Sequence, residues 1–472
     1  MEKKKKKREM MTSEKNKRAA LWLILFFFIT ALAPLGLLLA GVDTPHYAAT
    51  ARPPYPEFTT EAGVNLKWTA QFDAAWSHRF PGNSALVTLF NKIAAKTVHA
   101  SFNEDVIVGK ADRLFYAETI PDMLKLERIT DADRARIATV LQIQQRAVEA
   151  QGGQFIVAIA PNKASLYPEW LPARFAAMPG VSTGSLLNDA LSARGITFVD
   201  WFAALETHKE NAETALYHDF DSHWNDLGAE IAYRALLTDA KRGTLLPEFR
   251  ETTTVDHAAD LATMLYPAEK VREMAPTYAD FKANYRYLRP LQSLEDLEIV
   301  TQSQQGTQRL LMFRDSFANA LIPYLSSSFA DATYLRQTAP DYRSLRTTPA
   351  DLVVLQIAER NVDWWLQKTP ILLAQETLPP VAVTTRKLDI AFEHKAAYGW
   401  HHLQARIPDL IVDAAVVVAD GKAYEAFPVY EDDDITDHRW FSGVSLYLEA
   451  APSAVSIYVH TTAGWIFVDF AG

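Results

Sequence analysis

The chain has 472 residues, no cysteine, 49% apolar and 22% charged residues, and a formal charge of −10. Disulfides and thiolate metal sites are therefore excluded, and the balance is that of a globular protein, not a disordered one. Residues 1–18 hold nine Lys/Arg and three Glu, which leaves 38 basic against 54 acidic residues, a charge of −16, in the remainder. A body this acidic argues against nucleic-acid binding, which Lys and Arg dominate.

Residues 1–18 read as a basic cytoplasmic tail. From Ala19 to Val42 there are 24 residues without a charge, rich in Leu and Phe. At 1.5 Å per residue a helix of that length spans the ~30 Å hydrocarbon core of a bilayer. The basic flank predicts a cytoplasmic N-terminus and an exported body. A cleaved signal peptide is the alternative, although its apolar region is usually about 7–15 residues. Pro34 and Gly36 are tolerated inside a membrane helix. Residues 43–64 form a linker, stiffened by Arg52-Pro-Pro-Tyr-Pro56.

From Leu66 to Lys96 the pattern is helical. Trp68, Phe72, Trp76 and Phe80 recur at fourfold spacing, which predicts a face packed in the core. Val106-Ile-Val108 and Leu114-Phe-Tyr116 read as two short strands around a turn. Thr130 caps a helix that runs to about Ala150 and stops at Gly152-Gly153. Four apolar runs then suit buried strands: Phe155–Ala160, Thr197–Asp200, Leu310–Phe313 and Leu352–Ile357. Strands alternating with helices predict an α/β fold with a parallel sheet over residues 65–377. Ligands of such sheets collect beyond the carboxyl ends of strands, here 161–168, 314–316 and 358–361. After Pro379-Pro380 short alternating runs and an acidic loop, Glu431-Asp-Asp-Asp434, predict a β-sandwich over 381–472.

Asp221-Ser-His-Trp224 supplies a carboxylate and an imidazole two residues apart. Arg314-Asp-Ser-Phe317 supplies a serine between a predicted strand and a predicted helix. A serine hydroxyl needs a base, and His223 can serve, oriented by Asp221. Backbone N–H groups at the helix start would stabilise an oxyanion at Ser316. Asn225 can cap the helix that follows. Taken singly, an Asp-x-His or a serine at a helix start is usually structural. Asp221 and His223 could also ligate a metal, but no third ligand stands at convincing spacing.

The ordered set of motifs resembles the alginate O-acetyltransferase family of the AlgX/AlgJ type, whose catalytic domain is similar to SGNH hydrolases. The resemblance runs from about Trp68 to Trp365. It rests on Asn103-x-x-Val-Ile-Val-Gly-Lys110, Ala160-Pro-Asn-Lys-Ala-Ser-Leu-Tyr-Pro168, Asp221-Ser-His-Trp-Asn-x-x-Gly-Ala229, Asp315-Ser-Phe317 and Asp351-Leu-Val-Val…Glu-Arg-Asn361. It implies Ser316 as nucleophile, His223 as base and Asp221 as its partner. Arg314 stands where the family usually has glycine, which puts the turn geometry in question. Arg314, Lys163, Arg360 and Trp224 are candidate substrate contacts; for Lys163 and Arg360 a structural ion pair is the plainer expectation.

The resemblance implies a periplasmic, inner-membrane-anchored enzyme that forms an acetyl-serine and passes the acetyl group to an exopolysaccharide hydroxyl. Alginate or a neutral polymer such as cellulose would be the acceptor. No tightly held cofactor is required. Cytosolic acetyl-CoA cannot reach such a site, so a membrane-embedded acyl carrier, MBOAT-like, is the expected partner. An acetyl esterase or a non-catalytic polysaccharide-binding scaffold are the rival readings. In the C-terminal segment Tyr398, Trp400, Trp440, Phe441, Tyr447, Tyr458 and Trp465 fit a carbohydrate-binding module, with most expected in the core and two or three facing a ligand.

Overall fold

The computed structural model describes residues 17, 20–29, 32–33, 36–37, 39–40, 53–60, 63–79, 82–124, 129–175, 182–211, 213–337, 339–408, 410–432 and 440–469. Nearly all of the basic tail, Pro34, Arg52, Phe80 and most of the acidic loop after Asp432 lie outside them. Two compact units result. The first takes residues 1–114, 219–221 and 257–273; the second takes 115–218, 222–256 and 274–472.

In the first unit two helices follow the linker: α1 (Trp68–Arg79) and α2 (Asn83–Val98). Residues 20–29 are helical, but among the described residues no helix is long and apolar enough to cross a membrane. The aromatic stripe of α1 is not core. Phe72 and Trp76 are each 36% exposed, and Phe72 stacks between Trp68 and Trp76 along one side of the helix. Fourfold spacing makes a stripe but cannot say what covers it.

The second unit is built on a seven-stranded mixed sheet. Its helices and strands in chain order are α3 (Asp131–Glu149), β1 (Gln154–Ala160), α4 (Thr183–Ala193), β2 (Phe198–Val199), α5 (Trp201–Lys209), α6 (Asp226–Ala240), β3 (Arg286–Tyr287), β4 (Glu298–Gln302), β5 (Arg309–Phe313), α7 (Ile322–Ser328), β6 (Asp331–Leu335) and β7 (Leu352–Ala358). The sheet order is β2-β1-β7-β5-β6-β4-β3. The first five strands are parallel; β4 and β3 add an antiparallel edge. The α/β expectation therefore holds, while the purely parallel sheet is corrected. β3, β4 and β6 are short and partly exposed, so they lack the continuous apolar run that marks β1 and β7.

Packing follows from that burial. β7 is buried at every residue, and Ile156, Ala158, Val354 and Met312 turn to one face while Phe155, Val157, Val353 and Phe313 turn to the other. Each face carries its own core, the first under α5, α6 and α7, the second under α3 and α4. α3 starts where Thr130 accepts from the Asp133 N–H while Asp133 bonds back to the Thr130 N–H, a reciprocal capping box.

The C-terminal β-rich part belongs to the same unit. Its strands are β8 (Val383–Lys387), β9 (Ala391–Ala397), β10 (Trp400–Arg406), β11 (Ala414–Ala419), β12 (Lys422–Asp432), β13 (Trp440–Leu448), β14 (Val455–Thr461) and β15 (Gly464–Asp469). They form one continuous order, β8-β15-β14-β11-β12-β13-β10-β9. β12 is the joint: residues up to Ala426 pair with β11 and those from Phe427 pair with β13. Leu403 and Leu446 from one half share a core with Val417, Val459 and Val468 from the other. Trp400 and Tyr447 are buried, Tyr458 and Trp465 half-buried, and Tyr398 exposed. The side chains of Trp440 and Phe441 lie outside the described residues.

Replacing Thr130 with Ala removes one side of the capping box. The expected cost is about 1 kcal/mol, read as a lower urea midpoint with an unchanged slope.

Candidate active site

The residues of interest gather at the carboxyl end of the parallel strands, where β1, β5 and β7 leave the sheet. β5 ends at the fully buried Phe313. Arg314 and Asp315 turn the chain, and Ser316 opens a five-residue 3-10 turn, Ser316–Ala320, ahead of α7. Asp315 fixes this turn. Its carboxylate accepts from the Phe317 N–H at 2.9 Å, the Gln356 amide at 2.8 Å and the Ala358 N–H at 2.5 Å. Its own N–H donates to Gln356 Oε1 at 2.9 Å. The nucleophile turn is thereby clamped to the end of β7.

His223 arrives from a loop between Tyr217 and α6. The loop is closed by an isolated bridge between Tyr217 and Trp224 and by the Asn225 N–H donating to Leu216 O at 3.0 Å. Asn225 caps α6, its side-chain oxygen accepting from the Leu227 and Gly228 N–H groups, and its amide donates to Ala215 O. Gly228 is required here for space. A Cβ at that position would lie 2.4 Å from Leu216 O and 3.0 Å from Trp224 Cβ.

The two segments meet directly. His223 Nε2 lies 2.7 Å from Ser316 Oγ, and the imidazole packs on the Phe317 ring with centroids 4.8 Å apart. The same ring receives Trp224 edge-on, and Trp224 Nε1 donates to Phe317 O at 2.9 Å. With Ser316 at hydrogen-bond distance, Nε2 is placed to take the hydroxyl proton. Ser222 Oγ stands 3.3 Å from Nδ1.

Asp221 falls in the first unit. It is 4% exposed, and its carboxylate accepts from the Asp260 N–H and from His257 Nε2, each at 3.1 Å. His257 went unnoticed in the sequence, because a separation of 36 residues has no periodic signature. Burial alone would lower its pKa. The hydrogen bond and charge of Asp221, with Glu273 and Asp260, outweigh that and raise it.

Three of the expected substrate contacts are buried. Trp224 is 1% exposed and braces the histidine loop to the serine turn. Lys163 is 3% exposed, its ammonium 5.1 Å from the centre of the Phe115 ring. Arg314 is 2% exposed, and its guanidinium donates to Leu294 O, Asp296 O and Asn319 Oδ1, so it holds segment 294–296 against the turn. The turn does not need glycine, since residue 314 is not among those of positive φ. Arg360 is half-buried and lines a cavity of about 400 Å³ together with Arg314, Ser316, Arg336, Asn361 and Trp364. Its guanidinium lies 5.3 Å from the centre of the Phe317 ring.

The oxyanion expectation is also modified. Ser316 starts a 3-10 turn and not an α-helix, and the Phe317 N–H is engaged by Asp315. Of the first two N–H groups of the turn, that of Ser316 is the candidate donor. Sequence reasoning passed over Gln356 and gave Asp315 and Glu359 no role of their own. Glu359 is fully buried and accepts from the Asn162 N–H, Ser165 Oγ and the Gly184 N–H, tying the exits of β1 and β7 together. A glutamate and a glutamine closing an apolar strand run were the available signal.

A family model described as "SGNH hydrolase-like domain, acetyltransferase AlgX" matches residues 106–311. The match holds Asp221 and His223 and stops short of Ser316. The chain is 27% identical over 188 residues to a probable alginate O-acetylase AlgJ of Pseudomonas syringae pv. tomato, covering 39% of this chain and 46% of the relative. It is 28% identical over 227 residues to the probable alginate O-acetylase AlgJ of Pseudomonas aeruginosa, covering 46% and 52%. The chain thus spans about half the length of the curated relatives it matches. Among solved structures, the O-acetyltransferase domain of Pseudomonas putida AlgJ is 18% identical with a TM-score of 0.37, covering 56% of this chain and 93% of that one. The chain resembles the alginate O-acetylase family, with an SGNH-like domain followed by a β-rich one.

Two outcomes follow. Asp315→Ala leaves the Phe317 and Ala358 N–H groups without their acceptor, at about 1–3 kcal/mol each, measured by chemical denaturation. His257 binds its proton more tightly in the folded protein. That stabilisation is complete below the ordinary histidine value of about 6.5 and is lost as pH rises through the raised one. The stability gap between the protein and His257→Gln should therefore be wider at about pH 5.5 than at about pH 8.5.

Proposed function

We propose that the protein is a serine-dependent polysaccharide O-acetyltransferase of the periplasm, held at the inner membrane by residues 19–42. The observation that carries this reading is the 2.7 Å contact between His223 Nε2 and Ser316 Oγ beside an open cavity. The family resemblance supplies the acyl group.

In the first half-reaction Ser316 Oγ attacks the acetyl carbonyl of the donor while His223 takes the hydroxyl proton. The donor's acyl bond breaks, the proton passes from His223 to the leaving group, and acetyl-Ser316 remains. In the second, a glycan hydroxyl gives its proton to His223 and attacks the acetyl-serine carbonyl. The Ser316 ester breaks, Oγ recovers the proton, and the sugar keeps the acetyl group. The family resemblance assigns Asp221 as the partner of His223. Arg360, on the cavity wall, contacts the acyl donor or the glycan. A membrane-embedded acyl carrier delivers the acetyl group, and the acceptor is an alginate- or cellulose-like exopolysaccharide.

Incubation of the full chain with an activated acetyl ester tests the chemistry by intact mass. One acetyl group should appear on Ser316 and be absent from Ser316→Ala; an adduct surviving that substitution overturns the mechanism. Oligosaccharide should discharge the adduct with acetyl found on sugar, whereas release only as acetate would identify an esterase. Ser316→Ala and His223→Ala should each lower transfer roughly 10⁴-fold or more, and Asp221→Asn by up to roughly 10⁴-fold.

A further inference from the structure

Helix α2 is inside-out. Its buried residues are Ser84, Thr88, Asn91, Ala94 and Ala95, all small or polar. Its solvent side carries Leu86, Leu89, Phe90 and Ile93, which are 46%, 53%, 58% and 52% exposed. Those four positions are spaced i, i+3, i+4 and i+7, one continuous stripe along a helix. The orientation is pinned from the buried side. Asn91 donates to Leu265 O at 2.8 Å and accepts from the Phe102 N–H at 2.8 Å, while Thr88 Oγ1 accepts from the Ala268 N–H at 3.0 Å. Rolling the helix to bury its leucines would break all three bonds, so the apolar stripe faces outward by construction.

A second apolar surface adjoins it. Gly82, the N-cap of α2, has its Cβ direction filled at 3.3 Å by Cδ1 of Leu37, a residue of the uncharged 19–42 stretch. In that stretch every residue from Leu21 to Ile29 is at least 43% exposed. Lys96 flanks the stripe on α2 and is exposed, as is Lys92, whose ammonium is paired with Glu269 at 2.6 Å. Leucine, isoleucine and phenylalanine on one side with a lysine at its margin is the composition of a helix lying in a membrane interface.

We propose that α2 lies in the plane of the bilayer that residues 19–42 enter. Leu86, Leu89, Phe90 and Ile93 reach the acyl-chain boundary, and Lys96 meets headgroup phosphates. The lipid surface, not a second copy of the chain, is the occupant because Leu37 of the apolar 19–42 segment closes over Gly82 at the head of the stripe. The inference rests on the anchoring proposed above but not on acetyl transfer, and its test reads no activity.

The chain has no cysteine, so single-cysteine labelling needs no background removal. Phe90→Cys and, separately, Leu86→Cys would carry an environment-sensitive nitrobenzoxadiazole dye on the full chain, reconstituted in phosphatidylcholine–phosphatidylglycerol vesicles. Both sites are exposed, so the substitutions leave the core intact. Nitroxide-labelled lipid should quench each dye several-fold more than aqueous iodide does. Strong iodide quenching with little lipid quenching places the stripe in water and overturns the proposal. Protection from both quenchers overturns it in favour of a protein–protein contact.

Discussion

Everything at the site depends on one hydrogen bond between segments 93 residues apart, from Ser316 Oγ to His223 Nε2. A serine on its own is a poor nucleophile, and an imidazole on a loop has too much freedom to act as its base. The fold removes that freedom from both sides. Trp224 holds the histidine loop to the serine turn through Phe317 O, and the Phe317 ring fills the space beneath the imidazole. Asp315 holds the serine turn to β7. No single brace is strong, but each removes a direction in which the pair could separate.

The polar residues around the pair divide by what they touch. Arg314, Gln356 and Glu359 are buried and Asp315 is half-buried, and each is held by hydrogen bonds to other protein groups. Burying such groups is tolerable only when their hydrogen bonds are met, which turns them into rigid struts. Arg360, Asn361 and Trp364 are less buried and line the same cavity. An arginine is commonly read as an anion-binding arm, but here the Arg314 guanidinium also donates to the carbonyls of Leu294 and Asp296.

The first unit uses the same chemistry toward a different end. Asn91 and Thr88 satisfy backbone groups of 265–268 and 102 and, in doing so, aim four large apolar side chains outward. In α3 the arrangement is the usual one, with Ile137, Leu141 and Val148 inside. The contrast shows that amphipathic spacing states only that a helix has two faces. Which face meets protein is set by hydrogen bonds with residues far away in the chain.

Much of the α/β core was legible in order of residues alone. β1 and β7 are runs too apolar to lie anywhere but in a sheet covered on both faces, and Thr130 and Asn225 carry cap chemistry that is local to a few residues. The serine at a strand exit and the histidine ahead of a capped helix were visible for the same reason. What the order of residues left open depends on partners distant in sequence. The antiparallel edge strands pair through backbone groups that leave no apolar signature. His257 reaches Asp221 across 36 positions, and the buried state of Arg314, Lys163 and Trp224 follows from carbonyls and rings that no spacing announces. Local periodicity is written in the chain because it repeats every two or 3.6 residues; the destination of a side chain is not, because tertiary packing alone supplies its neighbours.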